Sequence, residues 1–94
     1  MKYRLKVRPE AEVDLSEARH WYNEQRPDLG NEFLAAVRRT IHRIRRDPLL
    51  FAAVYRETRC TLVGCFPYVV YFLIHGDLIS AIAVLHGHRD ESLW

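Results

Sequence analysis

A chain of 94 residues suits one hydrophobic core, since single cores run from roughly 50 to 200 residues and no composition break divides this sequence, so residues 1–94 are expected to form a single domain. With 49% hydrophobic and 28% charged residues and only 4 Gly and 4 Pro, disorder and repetitive fibres are excluded. The net charge of +2 conceals a bias: Lys2 and Lys6 are the only lysines and the other twelve cations are arginines, whose planar donor fork suits phosphate and carboxylate. Glu10, Glu12, Asp14, Glu17 and Glu24 come early, whereas Arg38, Arg39, Arg43, Arg45 and Arg46 fall within nine residues, so two segments carry opposite potentials.

The amino-terminal segment contains no apolar stretch like that of a signal peptide, and the longest apolar runs, 66–74 and 78–85, fall far short of the roughly 20 residues of a spanning helix. Two cysteines, Cys60 and Cys65, are too few for a secreted disulfide framework. A cytoplasmic protein with free thiols is the expectation.

Tyr3, Leu5 and Val7 alternate with charged residues, which predicts a strand over 2–8 with one buried face. Pro9 fits the first turn of a helix, and Glu10, Glu12 and Asp14 complement the positive end of its dipole. Ala11, Leu15, Ala18 and Tyr22 share a stripe that Val13 and Trp21 widen, and 26–30 breaks the helix. From about Asn31, Phe33, Val37, Ile41 and Ile44 recur at helical spacing, with arginines opposite, until Pro48. The short connection makes the two helices an antiparallel hairpin. Residues 49–55 show no period, 59–63 form a short strand, and 66–74 and 78–85 form a hairpin about His75-Gly76-Asp77. These last strands are apolar at nearly every position, so they belong at the centre of the sheet, with the helices on one face and a second apolar cover, such as a partner, on the other. The fold class is α+β: a β-α-α-β-β-β order with a small, mainly antiparallel sheet.

Phe66-Pro67-Tyr68 entering one apolar strand, 84–90 (Val-Leu-His-Gly-His-Arg-Asp) leaving the next, Arg59 ahead of Gly64-Cys65-Phe66, and the acidic helix opening on Pro9 together resemble the RelE/ParE superfamily of bacterial toxins over essentially the whole chain. The resemblance implies the toxin of a type II toxin-antitoxin module, without a cofactor, held in a hetero-oligomer by a cognate antitoxin. It also implies one of two targets: a ParE-like protein inhibits DNA gyrase, and a RelE-like one cuts messenger RNA on the ribosome.

Metal-independent RNA cleavage needs a base, an acid and cations for the crowded phosphate, and Arg59, His86, His88 and Arg89 offer those groups. Against this, RelE-like enzymes use central lysines and a tyrosine near the carboxyl end, yet no lysine follows Lys6 and no tyrosine follows Tyr71. A related subgroup uses a carboxylate, an arginine and a histidine beside an aromatic residue. Glu57, Arg59 and His86 are loosely similar, but Gly87 follows the histidine. The ending is closer to ParE-like members, which makes gyrase inhibition the leading expectation. The alternatives are the ribosome-dependent endonuclease and a non-toxic protein-binding module on the same fold.

Each residue also has a plainer role. His86 and His88 point the same way from a strand end, where a histidine often only bonds the strand terminus. Zinc binding by these histidines with Cys60 and Cys65 does not match usual finger spacings, so no metal is expected, and both cysteines are expected to behave as small buried apolar residues. The arginine run of Arg38, Arg39, Arg45 and Arg46, with His42 inside it, has three readings: phosphate contact, a solvated face paired with first-helix carboxylates, or a dock for antitoxin acids. Trp21 and Tyr22 are expected between helices and sheet. Tyr68 and Tyr71 fall on opposite strand faces, and Trp94 is either a flap over the core or a partner anchor.

Overall fold

The computed structural model describes residues 2–87; His88, Arg89 and Trp94, named above as candidate site residues, lie outside the described residues. Strand β1 (Arg4–Val7) leads into helix α1 (Pro9–Gln25) and helix α2 (Leu29–Arg46). A single 3-10 turn (Pro48–Leu50) is followed by β2 (Ala53–Tyr55), β3 (Thr58–Val63), β4 (Phe66–His75) and β5 (Leu78–His86). Among the described residues the sheet has five strands in the order β1-β5-β4-β3-β2, with β1 parallel to β5 and every other pair antiparallel.

The long apolar strands β5 and β4 occupy the middle, as their lack of alternation requires. Gly76 turns between them with φ of 60°, a conformation that costs a side-chain-bearing residue energy. The first strand and the two helices fall where their patterns predict them, but the segment before β3 does not. Three exposed residues, Ala53 to Tyr55, pair with β3 and add an edge strand, correcting the four-strand order. Their sequence has no alternation to reveal them; the strand exists because β3 offers an unsatisfied edge.

Helix α2 starts at Leu29, two residues earlier than its apolar period suggests, because Asp28 turns the chain in a left-handed conformation (φ 73°) and Gly30 enters the helical contact. The Gly30 amide donates to Asn23 Oδ1 at 2.8 Å, and a Cβ on Gly30 would lie 2.4 Å from the Arg19 carbonyl oxygen. The two helices therefore cross at backbone distance, and only glycine fits there.

On the sheet side α2 buries Phe33, Ala36, Val37, Thr40 and Ile44, with the Thr40 hydroxyl satisfied by the Ala36 carbonyl at 2.9 Å. Helix α1 buries only Ala11, Ala18 and Tyr22. Val13 and Trp21, expected to widen its buried face, are instead 56% and 52% exposed. Small residues bring α1 close to β5, and the sheet does not extend far enough to cover its flanks. The core closes on Phe66, Tyr68, Val70, Phe72 and Ile74 of β4, with Tyr22, Phe33, Phe66 and Tyr68 packed ring to ring at 5.1 to 6.0 Å. Tyr71, paired with Ala83, lies on the other face and is itself buried, while Leu62 on that face is exposed.

Candidate functional site: an acidic and aromatic groove beside an unpaired strand edge

β1 pairs with β5 only as far as Val7 opposite Ala81, because Pro9 then turns the chain into α1. Beyond Ala81 the outer edge of β5 has no strand beside it among the described residues, and its amides need other acceptors. Asp14, in the second turn of α1, supplies one: its Oδ2 accepts the Val84 amide at 2.9 Å. That carboxylate pins α1 alongside the edge and leaves a cavity of about 600 Å³ between them, lined by Asp14, Glu17, Trp21, Tyr68, Leu85 and His86 among others.

Aromatic rings continue from the core into this groove. Trp21 meets Tyr22 edge-on at 5.1 Å, and Tyr68 meets His86 at 5.3 Å and 81°. Burial, followed by the neighbouring Tyr68 hydroxyl and Cys65 thiol, holds the Tyr22 phenol above its ordinary range. Trp21 sits at the rim half exposed, with a carboxylate one turn away at Glu17. A half-exposed tryptophan beside acids and an open strand edge is suited to gripping an extended chain that carries a cationic or aromatic side chain. Asp14, Glu17 and Trp21 were not singled out for this role from sequence. Their i, i+3, i+7 spacing on one helix face is the signal that marks them.

Of the expected catalytic residues, Arg59 and His86 fall within the described residues, and they stand apart. Arg59 stands opposite Phe72 and His86 opposite Tyr68, so they are four residues apart along the sheet and two strands across, roughly 16 Å between backbones. Arg59 donates from its guanidinium to the Phe51 carbonyl, tying β3 to the loop before β2. His86 faces the helices beside Tyr68, and Tyr68 and Tyr71 take opposite faces as their spacing predicts. Cys65, expected to be buried, is exposed and Cys60 is half-buried. Among the described residues, no His, Cys, Asp and Glu side chains gather into a potential metal site. No helix among them is long and apolar enough to cross a membrane.

Arg38, Arg39, Arg45 and Arg46 are all exposed on the outer side of α2. The ion pairs formed among the described residues are Arg4–Asp77, His20–Glu24 and Arg26–Glu32. Of the three readings of the arginine run, pairing with α1 carboxylates is not seen among these ion pairs: α1 turns its acids outward or toward β5.

A helical hairpin on a mixed sheet with β1 parallel to β5 is the architecture of the small bacterial toxins that the sequence resembles. The solved chromosomal ParDE toxin-antitoxin system of P. aeruginosa has the same fold at a TM-score of 0.81, with 15% identity, 90% of this chain and 96% of that one covered. Residues 5–91 match the family model described as the ParE toxin of the type II toxin-antitoxin system parDE. Toxin ParE2 from two Mycobacterium tuberculosis strains, CDC 1551 / Oshkosh and ATCC 25618 / H37Rv, is 34% identical over 96 residues, 98% of this chain and 89% of the relative. The chain belongs to the ParE toxin family of type II toxin-antitoxin systems.

Proposed function

We propose that this toxin acts in the cytoplasm as a protein-binding inhibitor of DNA gyrase, and that an antitoxin segment seated in the groove between α1 and β5 holds it inactive. The observation that carries the reading is the family match across 5–91, since gyrase is the target that the resemblance to ParE-like toxins implies. The separation of Arg59 from His86 supports it further, because an endonuclease needs its acid, base and cations around one phosphate. For the antitoxin, the support is the half-exposed Trp21 at the rim of the groove, beside the part of β5 that no strand covers among the described residues, where an extended segment finds an aromatic anchor.

The test is expression of the chain without its antitoxin, followed by recovery of gyrase-linked DNA breaks and of messenger fragments. Breaks that disappear when gyrase carries a resistance mutation are expected. Fragments cut at ribosomal codons with gyrase unaffected would transfer the activity to RNA. Trp21→Ala is expected to weaken antitoxin binding at least tenfold in titration calorimetry while leaving gyrase inhibition intact. Unchanged affinity would move the antitoxin elsewhere on the toxin.

A further inference from the structure

The outward side of α2 is a ladder of cations. Arg38, His42 and Arg45 form one row at i, i+4 and i+7, and Arg39, Arg43 and Arg46 form the row beside it, all of them exposed. At 1.5 Å per residue the ladder is about 12 Å long from Arg38 to Arg46. None of its arginines forms an ion pair among the described residues, and Asp47, the acid that ends the helix, is not paired with them. Arg43, Arg45 and Arg46 complement the negative end of the helix dipole, but Arg38, Arg39 and His42 lie ahead of that last turn, and a merely soluble surface needs less like charge than the whole ladder carries.

At its carboxyl end the ladder becomes a pocket. Lys2, Tyr3, His42, Arg45 and Arg46 surround a cavity of about 440 Å³. The Arg45 Nε donates to the Tyr3 carbonyl at 2.9 Å, which fixes the guanidinium plane and leaves its two terminal nitrogens to serve a ligand. A guanidinium oriented in this way, with a lysine and a second arginine beside it, is built for a tetrahedral oxyanion.

We infer that the α2 ladder and the pocket at its end bind the phosphodiester backbone of duplex DNA, independently of sequence and of gyrase. Three features favour this occupant. Within the two cation rows themselves, 38–46, every outward side chain is an arginine or a histidine, and the exposed Leu49 and Leu50 lie beyond the helix end, so the ladder itself presents charge without an apolar anchor, which favours a polyanion over an acidic peptide. Its one aromatic residue, Tyr3, is half-buried in the core, so there is no stacking platform for single-stranded bases. A straight ladder about 12 Å long, with cations in two parallel rows, spans more than one phosphate of a duplex backbone at once. The acids of α1 lie on the neighbouring helix and orient the molecule by repelling the same phosphates.

The measurement is fluorescence anisotropy of a labelled duplex of about 20 base pairs titrated with the isolated full-length chain between 50 and 200 mM salt. Binding with a Kd of about 10⁻⁴ to 10⁻⁶ M is expected, with log K falling against log salt at a slope of about −4. The exchange Arg38→Glu with Arg39→Glu, both exposed and ahead of the last turn of α2, is expected to weaken binding at least tenfold and to flatten the slope by about 2, with the circular dichroism spectrum unchanged. Neutralising Glu10 and Glu12 on α1 should leave affinity equal or higher. No binding at 50 mM salt, or binding that the double exchange does not alter, would overturn the assignment. Polyglutamate competing as well as DNA would reassign the ladder to an acidic protein, and tighter binding of single-stranded RNA would reassign it to RNA.

Discussion

Helices α1 and α2 are nearly equal in length, 17 and 18 residues, and lie side by side on one sheet, yet they divide the molecule's tasks. Helix α2 separates its residues sharply: Phe33, Val37 and Ile44 face inward and the arginines face out. Helix α1 contributes two alanines and one tyrosine to the core and exposes Val13 and Trp21. Its attachment therefore depends less on apolar area and more on close approach, through Gly30 at the crossing and Asp14 at the strand edge. The contrast shows how a small domain reconciles stability with recognition: one helix buries its large side chains, and the other keeps a large one at the surface beside an open edge.

The most severe way to break this division is Phe33→Ala, which removes a fully buried ring and is expected to cost about 3–5 kcal/mol in urea denaturation. The matching change Trp21→Ala is expected to shift stability by no more than about 0.5 kcal/mol. Equal losses would mean that α1 carries as much of the core as α2. Of intermediate size is Asp14→Ala, which leaves the buried Val84 amide without its acceptor and is expected to cost about 1–3 kcal/mol, with faster hydrogen exchange at that amide. Unaltered exchange would show that the carboxylate does not protect that amide and that α1 is held by packing alone. The smallest effect concerns pH. Because the Tyr22 phenol is raised in the folded state, its contribution is fully present below about pH 10, its ordinary value, and is lost as pH rises through the folded value. Stability should decline in that alkaline window, and Tyr22→Phe should remove that part of the decline when melting temperatures are compared from pH 8 to 11.

Features written in local pattern were legible before any coordinates. The hairpin about His75-Gly76-Asp77 and the α2 stripe depend on turn chemistry and helical period, and both formed as expected. Features set by distant chain were not. β2 exists because β3 presents a free edge, and Trp21 is exposed because the sheet stops short of it; a stripe gives a residue's angle about its helix, not the reach of what it packs against. The Arg59 guanidinium, a phosphate candidate only under the endonuclease alternative, also donates to a backbone carbonyl in the preceding loop, a contact that no local pattern announces. Asp14 read as a helix-dipole acid and proved to be the acceptor for a strand edge whose existence depends on where β1 ends. The groove was therefore hidden although each of its residues was in view.

The parallel pairing of β1 with β5 joins Arg4 to Leu78, nearly opposite ends of the chain. During synthesis the first strand emerges early and waits without a neighbour until β5 is made, and contacts that span so much sequence form late. A growing chain on the ribosome thus cannot complete its sheet, nor the groove beside β5, before β5 itself has emerged. The completed toxin fold and the groove proposed to seat its antitoxin therefore come into being together, neither existing on a nascent chain ahead of the other.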